Sequence, residues 1–552
     1  MKVVIVGGVA GGMSAATRLR RLNEDSEIIV FERGPYVSFA NCGLPYFIGG
    51  VIQDRSKLLV QTAEKLFRRF RLDVRTDSEV SAIDRKNKKV AVNHQGHRYE
   101  ESYDRLILST GAKPMRPPID GIDQAKNLFT LRDVPDSERI VRFIEEHKVG
   151  QATVIGAGFI GLEMAENLSR RGIHVTVIER DEQVLPPLDK EMAATIEQAL
   201  AAHGVELLKG KTVTAFEAAG HTIVMADGTR SPADLIVLSV GVEPESRLAE
   251  RAGLELGVRR TIVVNDRLQT SDPDIFAVGD AIQVRQKVAG KQAMIPLASP
   301  ANRQGRMAAD IIGGIDRHYS GTLGTSIVRV FDQTAAITGL SEKMLQRFGI
   351  AHQAVHISPS DHASYYPGST TMTLKLLFDP DDGRLLGAQA TGAQGIDKTI
   401  DVLSTAIQAR MTVDDLTELE LAYAPPFNSA KSPINLLGYA AQNILERTVA
   451  SVQWHEVDRL VSGGSLLLDV RTEDEYRHGS IKGAINIPLD DLRERTDRLP
   501  GDREIIVTCQ VGLRGYLATR VLTQKGYRAK NLDGGYKLYK TVFPEKVKAS
   551  SK

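Results

Sequence analysis

The 552-residue sequence predicts an α/β chain of several domains, with two parallel-sheet, nucleotide-binding units at its front. Three observations predict this. A glycine-rich turn, Gly7-Gly8-Val9-Ala10-Gly11-Gly12, joins an apolar strand to a helical pattern. A second turn, Gly156-Ala157-Gly158-Phe159-Ile160-Gly161, does the same farther along. A third strand–turn–helix passage, late in the chain, delivers Cys509 at its turn. At about 150 residues per domain, the length suits three to four domains.

Composition narrows the function classes. Lys plus Arg number 70 and Asp plus Glu 69, so no overall charge draws the chain to nucleic acid. Met1 runs straight into strand residues, without a charged-then-apolar leader. No apolar run approaches the roughly 18 residues of a membrane span. Two cysteines, Cys42 and Cys509, cannot build a disulfide framework. These features lead us to expect a cytoplasmic protein with reduced thiols, no membrane or nucleic-acid partner and no metal site.

The first unit reads as βαβ. Val3–Val6 is a strand, a helix runs through Leu22, and the strand from Glu27 ends at the acid Glu32. Glycines at the turn let the backbone approach a pyrophosphate, and the helix N-terminus faces its charge. Glu32 lies where an acid binds a ribose hydroxyl, although Val9 replaces the middle glycine of the fingerprint. Just beyond comes Val37 to Tyr46, VSFANCGLPY, which holds Cys42. Its small and polar neighbours Ser38, Ala40, Asn41 and Gly43 suit a reactive, accessible thiol. Two later segments share the unit's pattern. Arg105–Thr110 is an apolar strand closed by Gly111, and Ile275–Val278 leads into Gly279-Asp280-Ala281, a strand ending in a carboxylate at a helix entry.

The second unit has every part in register. Ala152–Ile155 is a strand, the full G-x-G-x-x-G follows, a helix runs to about Arg171, and the strand Ile173–Ile178 ends at Glu179. Two such units imply two nucleotides. Glu179 favours the free 2′-hydroxyl of NADH, while Arg180 can accommodate the phosphate of NADPH, so NADH is expected with NADPH tolerated.

Residues from about Ser326 to Glu446 read as a mixed region. Thr371–Phe378 and Leu385–Ala390 are strands, with Asp381-Asp382-Gly383 as a hairpin signal between them. Helical patterns follow at Asp397–Met411 and Ile434–Leu445. Two proline-bounded loops carry tyrosines, at His362–Gly368 and Leu421–Phe427. The last region starts near Ala450, with strands at Leu466–Val470 and Glu504–Thr508 and a helix to about Lys525. Cys509 sits between strand and helix, in Cys509-Gln510-Val511-Gly512-Leu513-Arg514. Free backbone N–H groups there, with Arg514, favour a thiolate and an anionic persulfide.

On these motifs, the first 446 or so residues resemble the pyridine nucleotide–disulfide reductases, in their coenzyme A-disulfide reductase branch. SFANCGLPY and YAPPF are the specific motifs. The last hundred residues resemble a single-domain rhodanese. The resemblance implies an α/β fold in four parts: an FAD-binding domain at 1–112 and 245–325, an NAD(P)H-binding domain at 113–244, an α+β dimerisation domain at 326–447 and an α/β rhodanese domain at 453–545. It implies FAD on Gly7, Gly8, Val9, Ala10, Gly11, Gly12, Glu32, Arg33, Gly111, Gly279, Asp280 and Ala281, with Asp280 on the ribityl chain. It implies the nicotinamide nucleotide on Gly156, Gly158, Phe159, Ile160, Gly161 and Glu179, with Gly241 a further cofactor-binding residue.

Coenzyme A, as substrate or bound sulfur carrier, is implied along Ser14, Arg18, Arg21, Ser38 and Asn41, with the partner subunit's Asn302 and Lys431. A homodimer follows, in which Tyr365 and Tyr423 reach the active site across the interface as general acids. Two-cysteine relatives carry C-x-x-x-x-C, but Phe47 stands at the second position here. The implied redox partner of Cys42 is therefore a substrate sulfur. The implied activity is NAD(P)H-dependent, flavin-mediated reduction of coenzyme A disulfide, persulfide or polysulfide, joined to sulfane-sulfur transfer at Cys509 beside Arg514. Two alternatives are an NADH peroxidase or oxidase, whose members typically carry a histidine where Ala10 stands, and a sulfur-carrier protein.

Overall fold

A computed structural model describes residues 1–548 as two compact units. One comprises residues 1–182 and 204–324, the other residues 183–203 with Thr325 onward.

The first unit contains two five-stranded parallel sheets of matching plan. In one, Lys2–Val6 lies at the centre, between Arg105–Leu108 and Glu27–Phe31, with Ile275–Ala277 and Asp73–Arg75 outermost. In the other, Gln151–Ile155 is central, between His174–Ile178 and Leu235–Leu238. The central strands are rich in β-branched residues, and Val3, Val4, Ile5, Ile29 and Val30 are fully buried. Such continuous apolar runs are the mark of strands covered on both faces. The helix Ala10–Leu22 packs on the helix Ala298–Ile312. Gly305 permits the close approach, because a Cβ there would lie 2.0 Å from the Gly11 carbonyl oxygen.

The segment at Asp280 differs from its expectation. Gly279–Ala281 is a short 3-10 turn, and no helix starts there. The nearest helix N-terminus is supplied through space by Leu297, the cap of Ala298–Ile312, whose backbone interacts with the Asp280 carboxylate.

The second unit holds a five-stranded antiparallel sheet and a five-stranded parallel sheet. Thr373–Phe378 and Leu385–Gly392 form the hairpin that Asp381-Asp382-Gly383 signals. The helix Lys190–Ala202 also belongs to this unit, although it falls within the 113–244 stretch. In the parallel sheet, Ile505–Thr508 is flanked by Leu466–Asp469 and Ala529–Leu532. No helix among the described residues is long and apolar enough to cross a membrane.

Candidate functional sites

Both glycine-rich turns end the central strand of their sheet and are shaped by close backbone contacts. Gly7 has φ +105°, and a Cβ on it would lie 2.1 Å from the Ser109 carbonyl oxygen. Just past the turn Glu32 is fixed by two backbone donors, Gly8 N–H and Gly34 N–H, each at 2.9 Å. The second unit repeats the device. Glu179 accepts from Ala157 N–H at 2.7 Å and from Asp181 N–H at 2.9 Å. Each acid is thus held at the mouth of its turn, an arrangement that fits a ribose diol. A Cβ on Gly158 would meet nothing within 4 Å, so no protein atom requires glycine there. That open space at the helix N-terminus fits the close approach of a pyrophosphate. Arg180 is exposed and paired with Asp181 at 3.5 Å.

Asp280 is half-buried, and loss of hydration pushes its carboxyl up to about 6 against the Leu297 backbone and the Arg132 charge. A carboxylate placed this way, with no side-chain donor on it among the described residues, fits the polyol chain of a flavin nucleotide. The two cradles thus fit FAD and a nicotinamide dinucleotide.

Cys42 lies in the 3-10 turn Asn41–Gly43, which leads into the helix Leu44–Ile48. The residue is exposed. Loss of hydration around the sulfur is nevertheless the largest cause raising its pKa, followed by the charges of Glu163 and Asp280. Asn41 holds the turn: its Oδ1 accepts from the Cys42 N–H at 3.1 Å and from the thiol at 3.9 Å. Ser38 is fixed in a left-handed conformation, φ +48°, and its N–H donates to the Gly8 carbonyl at 2.7 Å. That bond ties the cysteine loop directly to the first glycine turn. Glu163, which no sequence motif marks, accepts from the Tyr46 hydroxyl at 3.2 Å. Burial pushes its carboxyl up to about 7.

A nearby negative charge raises a thiol pKa, so neutralising it lowers that pKa. Glu163→Gln should therefore shift the pH profile of Cys42 alkylation by iodoacetamide downward and raise the rate at pH 8 about twofold or more. The difference should fade below pH 7, where Glu163 already holds its proton. Superimposable profiles for the two proteins would refute the electrostatic coupling.

The residues assigned to coenzyme A gather only in part. Ser14 Oγ donates to Asn302 Oδ1 at 2.5 Å within one chain, so Asn302 stands beside Ser14 without any partner subunit. This corrects its expected placement. Arg18 Nε pairs with Asp310 at 2.5 Å, and Arg21 is exposed. Arg20, which looks like part of the same basic face, is buried and donates to the carbonyls of Phe70, Asn23, Glu24 and Arg71. It serves the fold and takes no part in a phosphate site. Lys431 is exposed one residue before Ser432, the cap of the helix Pro433–Leu445. Tyr365 and Tyr423 meet: their hydroxyls are 2.8 Å apart, and the residues are 73% and 47% exposed. The bond to Tyr423 raises the Tyr365 pKa, which keeps that phenol protonated.

Cys509 ends the strand Ile505–Thr508 and is buried. Its Sγ accepts from the Gly512 N–H at 3.1 Å, and Gly512 caps the helix Leu513–Gln524. Arg514 grips Glu475 with two bonds of 2.7 and 2.6 Å, and after Glu475 the Cys509 sulfur also favours its cation. A bidentate pair of this kind fixes both side chains. Further support for the loop comes from residues not foreseen. Arg471, buried against Asp469, donates to Gln510 Oε1 at 3.3 Å and lies 4.0 Å over the Tyr536 ring. The Cys509 and Gln510 carbonyls accept from Tyr536 and Lys537 N–H groups at 2.7 and 2.9 Å.

Asp533, just before that segment, is bound by His356 through its backbone N–H and by Nδ1 at 2.6 Å. The other ring nitrogen meets Glu191 at 3.2 Å. Burial alone would lower the His356 pKa, but Asp533 and Glu191 outweigh it and push it up to about 9. Asp189, Glu191 and Glu342 lie close enough together to hold an ion, and the Lys375 ammonium occupies their centre at 2.9, 2.5 and 2.6 Å.

This geometry agrees with comparisons to known proteins. The pyridine nucleotide-disulphide oxidoreductase family model matches residues 1–305, and the dimerisation-domain model of that family matches residues 325–432. The chain belongs to the pyridine nucleotide-disulphide oxidoreductases. A rhodanese-like domain matches residues 453–541. The coenzyme A disulfide reductase of Staphylococcus haemolyticus is 38% identical over 446 residues, 80% of this chain and 100% of its own. Reduced CoADR-RHD of Bacillus anthracis has 55% identity and a TM-score of 0.98, covering 99% of each chain. An NAD-dependent persulfide reductase from A. fulgidus has 38% identity and a TM-score of 0.93 over 98% of this chain and 100% of its own. The chain is thus an NAD(P)H-dependent flavoenzyme of this oxidoreductase family, extended by a rhodanese-like domain.

Proposed function

We propose that this oxidoreductase reduces coenzyme A disulfide and coenzyme A persulfide or polysulfide through Cys42, and passes sulfane sulfur through Cys509. The observation that carries the reading is the exposed Cys42, tied through Ser38 to the first nucleotide turn, with Cys509 as the chain's one other thiol, buried in the other unit. Such a cysteine exchanges with a substrate sulfur.

In this reading the bound nicotinamide and flavin supply the electron pair. The chain's residues do the rest. The Cys42 thiolate attacks a substrate sulfur and forms a new S–S bond as the substrate's own S–S bond breaks; a coenzyme A thiolate or hydrosulfide leaves, and Cys42 is left as a mixed disulfide or persulfide that the electron pair returns to the thiolate. Asn41 orients the attacking sulfur. Ser14, Asn302, Ser38 and the Arg18 and Arg21 guanidiniums line the approach of coenzyme A, with Lys431 from a partner. The Tyr365–Tyr423 pair protonates the leaving sulfur across a homodimer interface. The dimerisation-domain match supports that assembly, and two free thiols support a cytoplasmic setting.

The test is NADH oxidation by the holoenzyme against coenzyme A disulfide, coenzyme A persulfide, hydrogen peroxide and oxygen. At least one coenzyme A substrate should exceed peroxide and oxygen in kcat/KM by about hundredfold, roughly 2.7 kcal/mol of barrier. Faster turnover with peroxide or oxygen would overturn the reading in favour of a peroxidase or oxidase.

A further inference from the structure

Apart from the two thiol sites, the second unit contains a polar cavity of about 310 Å³. That volume lies at the lower end of ligand pockets, roughly 300–1,000 Å³. One wall is a sheet face rich in hydroxyls. Thr373 is the register partner of Thr391 on the neighbouring strand, and directly paired residues point to the same side. Thr371, two residues earlier, and Ser358 also border the space. The helix Gly535–Val542 supplies Lys537.

Lys537 is the cation of this cavity. Its Nζ donates to Thr373 Oγ1 at 3.3 Å. Among the described residues no carboxylate pairs with it, and burial lowers its pKa without any opposing charge. Asp332 borders the cavity too, but it is exposed and bonded to Gln333 at 3.5 Å. The Thr391 hydroxyl is buried and has no hydrogen-bond partner among the described residues. A half-buried ammonium without a counter-charge and an unpartnered buried hydroxyl are each unfavourable when left alone. Together they form the donor set of an anion.

We propose that this cavity binds a small oxyanion, with Lys537 as its charge partner and the Thr373 and Thr391 hydroxyls as donors. The volume suits a single sulfur oxyanion or phosphoryl group. The same Lys537 gives its backbone N–H to the Gln510 carbonyl of the Cys509 loop, so the residue that holds the occupant also braces the rhodanese loop. The inference is independent of which sulfur substrate Cys42 reduces.

Titration calorimetry on FAD-loaded full-length protein tests it, at constant ionic strength, with sulfite, sulfate and inorganic phosphate in separate arms. The wild type should show one saturable site, and the tighter arm identifies a sulfur oxyanion or a phosphoryl group as occupant. Lys537→Met should weaken that site at least tenfold, and Thr373→Val severalfold, with unchanged melting temperature for the threonine variant. Any anion held at the nucleotide cradles would persist in both variants. Equal affinities in wild type and Lys537→Met, or no saturable site in any arm, would overturn the proposal. If Lys537→Met does not fold, an unchanged affinity in Thr373→Val overturns it instead.

Discussion

Cys42→Ser should reduce NADH-driven turnover of coenzyme A disulfide and persulfide by roughly a thousandfold or more, about 4 kcal/mol of barrier, while FAD stays bound. Serine keeps the volume and the backbone donor to Asn41 but does not exchange with sulfur. The cradle residues Glu32 and Asp280 are untouched, so the flavin spectrum should match the wild type. Cys509, the chain's other thiol, is buried and does not offer itself as a substitute. Near-normal turnover in Cys42→Ser, measured as NADH oxidation at 340 nm, would show that the chemistry lies elsewhere.

Cys509→Ser should abolish sulfur transfer from thiosulfate or polysulfide, again by about a thousandfold, and leave reduction of coenzyme A disulfide within about twofold of wild type. The split follows from the architecture. Cys509 takes its donor from Gly512 and its support from Arg471, Tyr536 and Lys537, and no residue of the Cys42 turn takes part. Loss of both activities in this variant would mean that the two thiols form one catalytic circuit.

The nucleotide-binding half is legible in the sequence because its signals are local. A parallel strand buried on both faces reads as an unbroken β-branched run, as Val3–Val6 and Val175–Ile178 do. The glycine turns and the acids Glu32 and Glu179 follow within one βαβ unit. Cys42 stands out through its small neighbours, and the two tyrosine loops through their prolines. The contact between Tyr365 and Tyr423 spans 58 residues, and no local pattern announces it.

What stays illegible depends on distant partners. Arg18, Arg20 and Arg21 look alike on a helix, but only the Phe70–Arg71 carbonyls decide that Arg20 is buried. Spacing brings Arg514 near the Cys509 sulfur, but its partner Glu475, 39 residues away, is not announced by any local pattern. The link of His356 to Asp533 spans 177 residues. Asp469-Val470-Arg471 does carry a signal, since an acid and a base two residues apart at a strand end are placed to pair. Glu163 carries none beyond its place in the helix Phe159–Arg170; its raised pKa comes from burial.

The central claim is that Cys42 itself exchanges with the substrate sulfur. Mass spectrometry of the Cys42 peptide, after NADH-reduced enzyme meets one equivalent of coenzyme A disulfide and is quenched in acid, tests it most directly. The account predicts a coenzyme A mixed disulfide on Cys42 that disappears when further NADH is added. An unmodified Cys42 peptide at a time when coenzyme A thiol has already been released would contradict it.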